Sequence, residues 1–139
     1  MAESRRFLVV LWNGGGNVPP ALALIRRLLA RGHHVRVLGP RSLAQRMAPV
    51  GAEFEPYESV PEWDPARGRA LEDQADAFIE LLRGECVADD VLAALERDPV
   101  DVALIDCMLG AALCAAELRR TVVRPRPAVG VGAPMGSRQ

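Results

Sequence analysis

The sequence predicts an α/β protein with a doubly wound, mostly parallel sheet of Rossmann-like topology. The first observation is an apolar run from Phe7 to Trp12, bounded by glycines, which is typical of a strand buried on both faces. An amphipathic helical pattern from Ala21 to Arg31 follows, and a second β-branched run from His34 to Leu38 comes next. Strands that alternate with helices form right-handed βαβ units, and these units build a parallel sheet.

The remaining segments continue the alternation. Pro20 suits the first turn of the first helix, and Gly32 ends that helix. Ser42 is a candidate cap for the next, short helix. Further predicted elements are the short helix to Ala48, a strand from Gly51 to Pro56, helices from Leu71 to Arg83 and Ala88 to Arg97, a strand from Val100 to Ile105, a helix from Leu109 to Arg119, and a weak fifth strand from Ala128 to Val131.

Composition excludes several functional classes. A length of 139 residues with a net charge of −1 fits one domain and argues against phosphate-driven nucleic-acid binding. The chain contains no lysine, so a Walker phosphate loop is excluded. No apolar run approaches the ~20 residues of a membrane span, and no signal peptide is recognisable. Three cysteines without Cys-x-x-Cys spacing predict free thiols, no metal site and a cytoplasmic protein.

A glycine-rich turn, Gly14 to Gly16, joins the first strand to the first helix. Ligands of such sheets bind beyond the carboxyl ends of the strands, where this turn is expected. Its glycines let the backbone approach a ligand, and the helix behind it is a natural anion site; a tight turn without a ligand is the alternative. A dinucleotide fingerprint is disfavoured because Pro19 occupies the place of the third glycine.

Four segments resemble one known family in their order and spacing. They are Gly16 to Leu24, Leu29 to Val37, Ala48 to Pro56, and Pro99 to Asp106. Together they are similar to the N-terminal domain of family 1 glycosyltransferases of the GT-B type, which include the macrolide and antibiotic sugar transferases. The resemblance covers about residues 5 to 118 and implies one half of a GT-B fold.

The resemblance also implies a reaction. Such enzymes transfer a sugar from a nucleotide-sugar donor, without a metal or a tightly bound cofactor, and invert the anomeric centre. The family histidine that acts as base falls at Asn17, whose amide has no useful pKa. Asp106 matches the aspartate that often orients that histidine. Asp106 is therefore expected either to position or deprotonate the acceptor, or to cap the following helix.

Other residues are predicted to line the cleft for a small hydrophobic acceptor. Trp12 is assigned to the core, and His33 and His34 to a structural role at the amino end of the sheet. Tyr57 and Trp63 are expected to be exposed loop aromatics that contact the acceptor. The predicted cleft residues are Asn13, Gly14, Gly15, Gly16, Val18, Tyr57 and Trp63.

The chain divides into a Rossmann-like domain, residues 1–118, and an atypical Arg/Pro-rich segment, residues 119–139. The resemblance implies a C-terminal donor domain that this sequence does not supply. A truncation, a shifted reading frame and a split subunit are each compatible with that expectation, and each predicts that the chain alone is inactive. Two alternative functions stay open, a non-catalytic binding or partner subunit and a lipid-linked cell-wall sugar transferase domain.

Overall fold

The computed structural model describes residues 3–60 and 71–122. All four strands of its sheet are parallel, in the order β3-β2-β1-β4. The predicted α/β, Rossmann-like fold is therefore confirmed. In chain order the elements are β1 (Arg6–Val10), α1 (Val18–Ala30), β2 (His34–Gly39), α2 (Ala44–Met47) between two 3₁₀ turns (Arg41–Leu43 and Ala48–Val50), β3 (Glu53–Pro56), α3 (Leu71–Arg83), α4 (Glu85–Arg97), β4 (Val102–Ile105) and α5 (Gly110–Val122).

The register of the strands brings four loops to one edge of the sheet. Val10 at the end of β1 lies opposite Leu38 in β2 and Ile105 in β4. Gly39 at the end of β2 lies opposite Pro56 at the end of β3. The glycine turn after β1 and Asp106 after β4 consequently leave the sheet side by side.

Helices cover both faces of the sheet, and alternate residues of each strand point to opposite faces. Leu8 and Val10 pack in a core formed with α3, α4 and α5. Val9 and Leu11 pack in a second core formed with α1 and α2. This two-sided burial explains the continuous apolar run of the first strand.

Arg36 is a buried cation in the middle of β2, with 8% of its surface exposed. Its Nη2 donates to the carbonyl oxygens of Ala94 at 2.8 Å and Asp98 at 3.0 Å. Its Nη1 lies 3.2 Å from Oδ2 of Asp98. These carbonyls belong to the last turn and end of α4, where partners within the helix run out. Arg36 thus ties the C-terminal end of α4 to the sheet.

Two local predictions are wrong. The helical pattern from Leu71 to Arg83 predicts that Ile79 is buried, but Ile79 is 47% exposed in α3, and Leu81 is the residue that enters the core with 5% exposure. The helix turns a neighbouring stripe inward because α3 packs beside α4 and α5. Ser42 does not cap a helix; it lies within the 3₁₀ turn and accepts a hydrogen bond from Asn13.

Some predictions concern segments that the structure does not describe. Proline, glycine and aspartate from Pro61 to Gly68 predict a polar loop, but this loop and the predicted fifth strand from Ala128 to Val131 lie outside the described residues. Helix α5 continues to Val122, and the division of the chain after residue 118 stays a prediction. Within residues 3–60 and 71–122, no helix combines the length and the apolar character needed to cross a bilayer.

Replacing Arg36 with methionine is expected to lower the free energy of unfolding by about 2 to 4 kcal/mol. The carbonyl oxygens of Ala94 and Asp98 lose their hydrogen-bond donor, and the Asp98 carboxylate loses its buried cation. Urea unfolding of the full chain measures this loss. Arg26→Met, on the exposed face of α1, is the matched control and should stay within about 0.5 kcal/mol of the parent. Equal losses in both variants would show that Arg36 does not anchor α4.

Candidate functional site

The side-chain amide of Asn17 connects the glycine turn to the end of β4. Its Nδ2 donates to the carbonyl oxygen of Trp12 and to Oδ2 of Asp106, both at 2.9 Å. Its Oδ1 accepts a hydrogen bond from the backbone N–H of Gly14 at 3.0 Å. Both N–H groups and one oxygen lone pair of the amide are therefore engaged. The structure brings together the two residues that were predicted to be catalytic.

Asp106 organises the turn between β4 and α5. Its backbone N–H donates to the carbonyl oxygen of Val10 at 3.0 Å, which continues the ladder to β1. Its Oδ1 accepts from the N–H of Met108 at 3.0 Å, an arrangement typical of an aspartate that holds a turn. An ionised carboxylate has about four lone-pair sites, so both oxygens retain acceptor capacity. The side chain is half-buried, so part of it is open to solvent.

The glycine turn uses most of its own amides. The N–H of Gly16 donates to the carbonyl oxygen of Gly14 at 3.1 Å, and that of Val18 to Gly15 at 3.3 Å. Pro19 and Pro20 have no N–H to offer. The start of α1 therefore presents few amides to an anion, which favours the tight-turn interpretation. Gly15 has a φ of 82°, a conformation that favours glycine.

Gly14 is required by the close approach of the Trp12 ring. A Cβ at position 14 would lie 2.6 Å from Cη2 of Trp12. The indole ring is half-buried and lies 5.5 Å from the Phe78 ring, centroid to centroid, at a tilt of 54°. Its Nε1 is buried without a hydrogen-bond partner among the described residues. Trp12 thus packs against the core, as predicted, while its ring covers the glycine turn.

Tyr57 is a core residue, so the prediction of an exposed loop aromatic is wrong. Only 4% of its surface is exposed, and its hydroxyl donates to the carbonyl oxygen of Leu11 at 2.7 Å. Burial raises the pKa of the Tyr57 hydroxyl well above its ordinary value, and the charges of Asp90 and Asp106 raise it further. The phenol therefore stays protonated and keeps donating this bond. Trp63 lies outside the described residues.

The other predicted cleft residues differ in how far their side chains are buried. Asn13 is 8% exposed, and its Nδ2 donates to Oγ of Ser42 at 3.0 Å, which joins the loops after β1 and β2. Val18 is fully buried in the core with α1, so its side chain anchors the helix and does not face a cleft. Gly14, Gly15 and Gly16 are exposed at the carboxyl edge, and their place in a binding cleft stays a prediction.

Sequence reasoning missed Asp90, a buried carboxylate of α4. Its oxygens accept from the backbone N–H groups of Glu58 and Ser59 at 3.1 to 3.2 Å. These bonds hold the loop that follows β3 at the carboxyl edge. A single aspartate within an acidic, amphipathic helix carries no sequence signal for such a distant partner.

Both histidines of the chain lie at the opposite, amino edge of the sheet. His34 begins β2 opposite Arg6, and His33 packs its ring against Phe7 with centroids 5.2 Å apart. This chain therefore supplies no imidazole to the carboxyl edge. In the part of the chain that the structure describes, no three His, Cys, Asp or Glu side chains form a group that could hold a metal ion.

No protein-family model matches the sequence, and no curated protein matches it either. Solved structures do match. The glycosyltransferase of kitacinnamycin is similar with a TM-score of 0.69 and 29% identity over 86% of this chain and 29% of that chain. CalG4, the calicheamicin glycosyltransferase, has a TM-score of 0.64 and 23% identity over 89% of this chain and 32% of its own.

A plant protein gives a similar result. UGT89C1 from Arabidopsis thaliana, complexed with quercetin, has a TM-score of 0.64 and 20% identity over 85% of this chain. This chain covers 33% of the plant protein. The chain thus spans about a third of the length of the solved structures that it matches.

Gly14→Ala is expected to lower the free energy of unfolding by about 1 to 3 kcal/mol, because the new methyl group must displace the Trp12 ring. The matched control is Gly16→Ala, where a Cβ meets no atom within 4 Å and φ is not positive. That variant should be more stable than the parent by about 0.4 to 1 kcal/mol, because it restricts the unfolded chain. Urea unfolding monitored by circular dichroism measures both changes, and a Gly14→Ala variant as stable as Gly16→Ala would contradict the packing described for Trp12.

Proposed function

We propose that this chain, which has the fold of the N-terminal domain of family 1 glycosyltransferases of the GT-B type, binds the acceptor in a sugar-transfer reaction. The observation that carries the proposal is the pair Asn17 and Asp106, joined by a 2.9 Å hydrogen bond beside an exposed glycine turn. The pair lies at the carboxyl edge of a parallel sheet, where ligands of this architecture bind. The acceptor class that we propose is a small hydrophobic natural product with a free hydroxyl group.

Asp106 is the residue that we assign to proton removal. Asn17 cannot accept the proton because a neutral amide has no useful basicity near pH 7. Both histidines lie at the other edge, whereas the Asp106 carboxylate is half-buried and keeps free lone pairs. The acceptor hydroxyl would give its proton to this carboxylate as its oxygen bonds to the anomeric carbon of the donor. The bond from that carbon to the nucleoside diphosphate breaks in the same step, its electron pair leaves with the diphosphate, and the configuration inverts.

Asn17 has a positioning role in this mechanism. Its amide donates to Oδ2 of Asp106 and so holds the carboxylate in a fixed orientation. Its other two bonds fix the glycine turn beside the carboxylate. The amide of Asn17 keeps a hydrogen bond to Asp106, as a histidine at this position would. It does not perform the proton transfer that a histidine would perform.

The donor site is proposed to lie on a second domain. The chain spans only about a third of its structural neighbours, and one of them, UGT89C1, was also solved in complex with UDP. The glycine turn uses its own amides internally, so it supplies little for a diphosphate. We therefore propose that a separate donor domain holds the nucleotide sugar. The free thiols of Cys86, Cys107 and Cys114 support a cytoplasmic setting for the protein.

One observation favours a second candidate function. The amide of Asn17 is engaged by three hydrogen bonds, and this arrangement is also what a purely structural residue would show. A non-catalytic subunit that binds the same acceptor would keep this geometry. The two functions differ in whether sugar transfer occurs once a donor domain is present, and both require acceptor binding at the carboxyl edge.

Acceptor binding is tested by amide chemical-shift mapping on the full chain, with quercetin as the acceptor probe and UDP as the nucleotide probe. Quercetin should shift the amides of residues 13–17 and 106–110, whereas UDP should bind far more weakly. Asp106→Asn should weaken quercetin binding, and Asp89→Asn, exposed on α4, should not. Shifts confined to the amino edge around His33 would contradict the proposal.

Efficient glucoside formation by the pure chain with UDP-glucose would contradict the need for a donor domain.

A further inference from the structure

A cavity of about 170 Å³ opens between α3, α4 and the loop after β3. Its floor is apolar, since Leu81 is 5% and Val87 1% exposed. Val60, Ala77 and Cys86 line its walls. An apolar cavity of about 150 Å³ is large enough to take up benzene in another protein, so this one can hold a group of that size.

Two carboxylates stand at the mouth of the cavity. Asp76 and Glu80 lie one helical turn apart on α3, and both are exposed. Among the described residues, neither carboxylate takes part in a hydrogen bond or an ion pair. Like charges at this spacing repel each other and weaken a helix. A cation placed between them would offset that repulsion.

The cavity is separate from the candidate acceptor site. Ala77 and Leu81 turn one face of α3 toward the cavity. Phe78 projects from another face of the same helix and meets the Trp12 ring, which covers the glycine turn. The residues that line the cavity therefore include neither of these aromatic rings nor the Asn17–Asp106 pair.

We propose that this cavity binds a small ligand with a benzene-sized apolar body and a protonated amine. The apolar body would fill the space above Leu81 and Val87, where its removal from water supplies most of the affinity. The amine would lie at the mouth between Asp76 and Glu80 and select against neutral or anionic compounds. We propose that this site acts independently of sugar transfer, because its lining includes neither Asn17, Asp106 nor the glycine turn.

The test compares three probes of the same shape on the full chain: benzylamine, benzyl alcohol and benzoate. Dissociation constants from chemical-shift titration should be smallest for benzylamine and largest for benzoate. Asp76→Asn with Glu80→Gln should reduce the preference for benzylamine over benzyl alcohol by about two- to fivefold, the range expected of exposed ion pairs. Asp89→Asn with Glu96→Gln, exposed on α4, is the matched control and should leave that preference unchanged.

A second variant tests the cavity itself. Ala77→Leu fills the space and should weaken all probes at least tenfold, whereas Ala93→Leu, exposed on α4, should not. Equal affinity of the folded parent chain for benzylamine and benzyl alcohol would overturn the proposal. So would a preference for benzylamine that survives removal of both carboxylates. Failure here leaves the acceptor mapping intact, since that experiment is read at residues 13–17 and 106–110.

Discussion

The candidate site depends on one side-chain amide, that of Asn17, which bridges two neighbouring strands where they leave the sheet. It binds the carbonyl oxygen of Trp12 after β1 and the carboxylate of Asp106 after β4. Its oxygen closes the glycine turn through the N–H of Gly14. A carboxylate that follows a strand end has several rotamers available, and the amide selects one of them. The position of Asp106 in the proposed cleft follows from this contact.

The rest of the domain keeps the carboxyl edge in place. Tyr57 ties the loop after β3 to β1 through its hydrogen bond to Leu11, and burial keeps its phenol protonated. Asp90 holds the following two amides of the same loop. In the middle of β2, Arg36 anchors the end of α4 to the sheet. Tyr57 and Asp90 thus fasten the loop after β3, and Arg36 fastens α4, each through a partner on a different element.

Local sequence patterns predict the fold, but they do not predict these long-range contacts. The apolar run from Phe7 to Trp12 and the alternation of strands and helices determine a parallel sheet, and parallel register then brings residues 17 and 106 to the same edge. The similarity of four segments to a known family identified the same pair. Arg36 and Asp90 were missed because a charged residue in a strand or an acidic helix reads as exposed unless its distant partner is known.

Tyr57 and Ile79 are residues whose burial the sequence predicts wrongly. Tyr57 follows a strand and precedes a polar loop, which suggested exposure, yet its ring enters the core with α4 and α5. In α3 the helical period predicts a stripe but not which of two adjacent stripes faces the sheet, because that choice is made by packing against α4 and α5. Val18 was placed in the cleft by its proximity to the glycines, although its side chain points into the core.

A double-mutant cycle on the full chain tests most directly whether Asn17 and Asp106 act as a unit. The free energies of unfolding of Asn17→Ala, Asp106→Ala and the double variant are measured in urea and compared with the parent. A hydrogen bond to a charged group in a half-buried site predicts a coupling energy of about 1 to 3 kcal/mol. The contributions of the other hydrogen bonds that each side chain makes cancel in the cycle. Losses that add to within about 0.5 kcal/mol would show that the two residues are independent, and the account of the site would then be wrong.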